Sequence, residues 1–93
     1  MSLFFKKYPN GVWVTDELYN DRDIMMKTAF SDVALIVHPV EEYGFGREWH
    51  VSKTDVNRLS GVNLVTLATR PTKLGALRLA NKAIAHATNK SST

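Results

Sequence analysis

Hydrophobic residues recur along this chain with two different periods, and the change of period marks the elements. Near the C-terminus the period is helical. Placed at ~100° intervals from Leu74, Ala76, Leu77, Leu79, Ala80, Ala83, Ile84 and Ala87 share one broad face. Arg78, Asn81, Lys82, His86 and Asn89 fall mainly on the other. That stripe predicts a helix packed on one side only, and its alanines predict close approach to a sheet. Thr72 is the expected N-cap, Pro71 holds the entering chain extended, and Lys90 suits the negative end of the helix dipole. Gly75 in the first turn costs about 1 kcal/mol relative to alanine. It reads either as a plain loss of bulk or as room for a partner's backbone.

Upstream the period shortens to that of strands. Val62 to Thr69 reads as a strand leading into the helix. Arg47 to Ser52 alternates, with Trp49 and Val51 on one side and Glu48, His50 and Ser52 on the other, as in a strand with one wet face. Val33 to Val37 is continuously apolar and predicts a central strand covered on both faces. His38-Pro39 should end it, because proline has no N–H to give a central ladder. Leu3 to Tyr8, the turn Pro9-Asn10-Gly11, and Val12 to Thr15 predict a hairpin with a type I turn and a glycine bulge.

Two segments are less regular. Asp21 or Asp23 can cap a short helix running to Phe30, with a strand as the alternative, and Met25 and Met26 read as core filling. Thr54 or Asp55 reads as the cap of a single helical turn closed by Gly61, with an irregular loop as the alternative. The elements sum to an α+β fold. Its core is an antiparallel sheet of four to five strands with the C-terminal amphipathic helix packed on one face. The other face, or an edge, stays open to a partner. Residues 1–90 form one expected domain and 91–93 a frayed tail.

Composition narrows the chemistry. The chain has 93 residues, 44% of them hydrophobic, and no cysteine. Length and hydrophobic fraction suit one domain with its own core. Without cysteine there are no disulfides, thiol nucleophiles or thiolate zinc sites, which fits a reducing compartment and a cytoplasmic protein. No apolar run approaches the ~18 residues that span a bilayer, so no membrane partner is expected. The segment Met1 to Lys7 has its charge after its apolar run, the wrong order for a signal peptide.

Charge is uneven. Residues 1–55 hold six Lys/Arg and nine Asp/Glu, whereas residues 56–93 hold six Lys/Arg and no acid. Such asymmetry points to an anionic partner or to the two halves lying against each other. Arg70, Lys73, Arg78 and Lys82 form the candidate anion-binding set, extended by Arg47 and Lys53. The plainer explanation is a solvated helix face. The strand followed by Thr72-Lys73-x-x-Ala76-x-x-x-Ala80 resembles the last element of double-stranded-RNA-binding domains. The chain departs from that family where Leu74 follows Lys73 in place of a further lysine, and where a hairpin replaces the N-terminal helix. No functional residue is carried across.

No P-loop, dinucleotide-binding glycine fingerprint, nucleophile elbow or H-E-x-x-H motif occurs, and Gly44-Phe45-Gly46 reads as turn chemistry. His38, Glu41, Glu42 and His50 are the candidate metal or acid–base cluster, at a spacing that matches no recurring motif, so neither a metal site nor a cofactor is expected. These features lead to a small non-enzymatic binding module. Its size and plain composition suggest an accessory regulator of the kind phages and mobile elements encode. Its expected target is nucleic acid, or an acidic protein surface, on the basic helix. The alternative is an inhibitor or adaptor that docks a host protein through a sheet edge or through Tyr43 and Phe45. A homodimer through an edge strand is compatible with either.

Overall fold

A computed structural model describes residues 4–29, 31–42, 46–57, 59 and 61–91, with the side chains of 42, 57 and 88–91 excepted. The chain runs β1 (Lys6–Lys7), β2 (Val12–Val14), α1 (Asp21–Thr28), β3 (Leu35–Glu42), β4 (Gly46–Asn57), β5 (Gly61–Arg70) and α2 (Lys73–Ser91). The strands form one five-stranded sheet in the order β1-β2-β3-β4-β5. The expected α+β fold with α2 packed on the sheet is present. The sheet is mixed, because β2 and β3 run parallel while the other neighbours run antiparallel. A parallel pair needs a crossover, and α1 lies within it.

Alternation along each strand sends side chains to two cores. Val12, Val14, Leu35, Val37, Trp49 and Val51 pack with Ala76 and Ala80 of α2. Phe5, Trp13 and Ile36 pack on the opposite face with Ile24 of α1. The sheet is therefore covered by a helix on each face, not on one. Both α2 alanines are wholly buried, as close helix–sheet approach requires. Ala83 and Ala87, expected on the packed face, are exposed, so the buried stripe is narrower than the periodicity implied.

The N-terminal hairpin forms with shorter arms than expected, Lys6–Lys7 and Val12–Val14, and Leu3 lies outside the described residues. The Gly11 N–H donates to the Tyr8 carbonyl at 3.0 Å and the Tyr8 N–H to the Val12 carbonyl at 2.9 Å. Gly11 takes a φ of +91°, which a glycine bulge needs, and a Cβ there would meet Ala34 Cβ at 2.9 Å. Helix α1 is capped by Asn20, whose side chain accepts from the Asp23 N–H at 2.8 Å, not by Asp21 or Asp23.

Two boundaries differ from expectation. Strand β3 runs through Pro39 to Glu42. Its pairing with β2 stops at Val37, so beyond that residue β3 has a strand, β4, on one side only. A proline is tolerated there because the missing N–H falls outside a central ladder. The described residues of the Thr54–Gly61 segment do not make the expected helical turn, since Thr54 to Asn57 are strand. Strand β4 continues to Asn57, and Gly61, at φ +82°, opens β5. A polar residue followed by glycine marks a hairpin as readily as a capped turn.

Candidate nucleic-acid interface

The start of α2 sets out the basic residues. The Gly75 N–H donates to Thr72 Oγ1 at 3.1 Å, and the Ala76 N–H to the Thr72 carbonyl at 3.1 Å. Thr72 is the N-cap that its sequence position announced. A Cβ at Gly75 would lie 3.0 Å from that hydroxyl and 3.7 Å from Arg70 Cβ. The room at Gly75 is thus used by the cap and by the Arg70 side chain.

Gly75, Arg78 and Lys82 stand three and four residues apart, so they share one stripe of the helix. The Arg70 stem lies at the head of that stripe. Arg70, Arg78 and Lys82 are all exposed, and α2 carries no Asp or Glu. The Arg70 guanidinium donates to the neighbouring Thr69 carbonyl at 2.6 Å, which uses one of its donors and leaves its charge uncompensated by that contact.

The other expected cations are placed elsewhere. Lys73 lies on the opposite side of α2, with Nζ 2.6 Å from Asp16 Oδ1 and 6.0 Å from the Trp49 ring centroid. Arg47 pairs with Glu41 at 3.9 Å. Lys53 is exposed on β4, opposite Val65 of β5. The two halves of the chain meet at the Lys73–Asp16 pair, whereas Arg47 and Glu41 pair within the first half, and this complementarity does not reach the outer stripe of α2. Tyr43 and Phe45 lie outside the described residues.

Of the candidate cluster His38, Glu41, Glu42 and His50, the two histidines come together and Glu41 does not join them. His38 and Glu41 are an odd number of residues apart on one strand, which sends them to opposite faces, and Glu41 turns to Arg47. The Glu42 side chain lies outside the described residues. What forms is a buried polar group on the α1 face. His38 and His50 are cross-strand neighbours with ring centroids 5.7 Å apart. His38 Nε2 and Ser52 Oγ share a 2.8 Å hydrogen bond, and His50 Nδ1 lies 3.4 Å from Thr66 Oγ1. His50 Nε2 is 3.8 Å from Glu48 Oε2. His38 and Ser52 are almost wholly buried, so this imidazole–hydroxyl pair has no access to a substrate. Burial, then the neighbouring His50, push the His38 pKa down to about 4, with Asp21 pulling weakly the other way. Among the described residues no group of three or more His, Asp or Glu is placed to hold a metal ion.

A groove of about 630 Å³ opens beside the β1–β2 turn, lined by Tyr8, Asn10, Trp13 and Asp32 among others. Among the described residues no helix is long and apolar enough to cross a membrane. No family model, curated protein or solved structure matches the chain, so the resemblance of its C-terminal strand and helix to double-stranded-RNA-binding domains extends to no family match.

Proposed function

We propose that this protein is a non-enzymatic binding module that takes nucleic acid on the outer face of α2. The observation that carries the reading is the acid-free stripe of Arg78 and Lys82 on a 19-residue helix, headed by Arg70. Exposed cations in a row neutralise successive phosphates and release counterions, which makes binding strong at low salt and insensitive to base sequence. Lys73 and Arg47 are already paired with carboxylates and contribute less than their number suggests.

Three phosphate contacts imply a slope near −2.7 in a plot of log affinity against log salt, or roughly a 40-fold loss between 50 and 200 mM. Salt titration with duplex and single-stranded oligonucleotides measures it. The double variant Arg78→Glu, Lys82→Glu is expected to abolish binding while leaving the fold intact, because both side chains are exposed. Binding unchanged in that variant would overturn the helix-face assignment.

A second reading, an adaptor or inhibitor that docks a protein, is favoured by the open edge at β5. Retention of a protein from cell extract after nuclease treatment, with no oligonucleotide binding, would replace the first reading by this one.

A further inference from the structure

Of the large apolar residues left exposed away from α2, Met26, Val56, Leu59, Val65 and Leu67 belong to β5 or to the segments beside it, whereas Phe4 and Leu18 lie elsewhere. Among the described residues no strand lies beyond β5. The strand is ten residues long, against a usual five or six. Native proteins guard such an edge with proline, lysine, inward-pointing charge or a bulge. Gly61 to Thr69 contains no proline and no charged residue. A bulge interrupts the strand at Leu67, which has no opposite number on β4, and leaves Gly61–Thr66 in regular register. Val65 and Leu67 are 36% and 51% exposed. On the α1 face of the same strand, the face opposite Val65, a small apolar pocket of about 260 Å³ bridges β5 and α1 through Val62, Met25, Met26 and Ala29, and Met26 is 73% exposed.

We infer that β5 pairs antiparallel with β5 of a second copy of this chain, joining two five-stranded sheets into one of ten strands. Symmetry and charge select that occupant. An uncharged edge offers nothing by which to choose an acidic or a basic peptide, whereas pairing of a strand with itself needs no charge. Antiparallel continuation of a sheet is generated by a two-fold axis normal to it. That axis sends the two Arg70 residues to opposite ends of the seam, so the one charge on β5 does not meet itself.

Area adds a requirement. An edge ~34 Å long and one sheet layer (~10 Å) thick buries on the order of 700 Å² over two copies, short of the ~1,000 Å² of a stable interface. The Met25, Met26, Ala29 and Val62 patch lies beside the seam and supplies the shortfall. The axis brings the Val62 end of one strand opposite the Ala68 end of the other, and so carries each α1 toward its partner. It also keeps both α2 helices on the same face of the joined sheet. Two Arg70–Arg78–Lys82 stripes then lie on one surface, although the dimer stands whether or not that surface binds nucleic acid.

Sedimentation equilibrium of the full chain over a dilution series provides the test. The expected result is a species of twice 10.5 kDa whose dissociation constant rises at least about tenfold in Val65→Lys, where two ammonium groups face each other across the axis. Met26→Ser is expected to weaken it in the same direction. A chain that stays at 10.5 kDa at the highest concentration, or a dimer that Val65→Lys leaves intact with its circular dichroism unchanged, would overturn the inference. Should Val65→Lys fail to fold, amide hydrogen exchange on the wild-type chain decides. Protection of β5 amides that grows with protein concentration supports the seam, and concentration-independent exchange along β5 rejects it.

Discussion

His38 is the residue whose chemistry and packing are most at odds. It is 1% exposed, holds a hydrogen bond to Ser52, and sits beside a second imidazole. Its pKa in the folded protein is about 4, against 6.5 for a free imidazole. Above pH 6.5 both states are neutral and the group has no pH-dependent effect. Between pH 6.5 and 4 the unfolded chain takes a proton that the folded chain refuses, so stability falls as the pH is lowered. The loss is on the order of 3 kcal/mol when the folded pKa is reached. Urea denaturation at a series of pH values should show this slope, superimposed on the titration of the carboxylates. His38→Gln, which keeps a polar partner for Ser52, should flatten that part of the slope and leave the rest. Equal slopes in the two proteins would mean that His38 titrates normally. None of this could be read from the sequence. His38, Glu41 and His50 looked like a ligand set because spacing along the chain does not reveal which face each residue occupies when strand boundaries are unknown.

At the scale of elements, α2 was the most readable part of the chain and β3 the least. The helix announces itself through a 3.6-residue period, a proline before it and a threonine cap, all of them local signals. The 3.1 Å bond from the Gly75 N–H to Thr72 Oγ1 is the physical content of that signal. Thr72→Ala should therefore cost about 1 kcal/mol in a denaturant midpoint at unchanged m-value. Thr72→Ser should recover most of it, and an effect of the same size in both variants would point away from the cap. Pro39 misled because proline is forbidden only where a strand has neighbours on both sides. Whether β3 has them depends on the length of β2, three residues that pair with Leu35 to Val37 and no further. The parallel direction of that pairing was equally invisible, since it is a property of how a crossover returns and not of either strand. The Thr54 to Gly61 stretch carried signals that a capped turn and a long hairpin share, and tertiary pairing with β5 decided between them.

Considered as a whole, the molecule separates its two kinds of surface. Among the described residues, Arg78 and Lys82 run along the outer face of α2, a helix with no acid of its own, and most of the exposed apolar side chains lie at β5, the β4–β5 connection and the nearby end of α1. The basic surface was visible in advance as a lack of acids after Asp55. The apolar edge was not, because Val62 to Thr69 has the composition of a buried strand and only sheet order makes it terminal.

That order also bears on how the chain reaches its structure. Each strand lies beside the one that precedes it in sequence, so the sheet can grow by successive short-range additions with little loop-closure cost. The long-range closure belongs to α2, which comes last and returns as far as Asn10, where the Asn10 amide donates to Asn81 Oδ1 across 71 residues. A clasp of this kind is expected to contribute little to the folding transition state and much to the lifetime of the native state. Leu77 packs α2 against the sheet, and Leu77→Ala should cost ~2 kcal/mol. Stopped-flow kinetics should place most of that cost in unfolding, accelerated by roughly tenfold or more, with refolding nearly unchanged. A refolding rate that falls in proportion would put the helix in the nucleus instead. With refolding unchanged, the residence time of the folded state would be governed by the last element to arrive, and the sheet would form at its own pace beneath it.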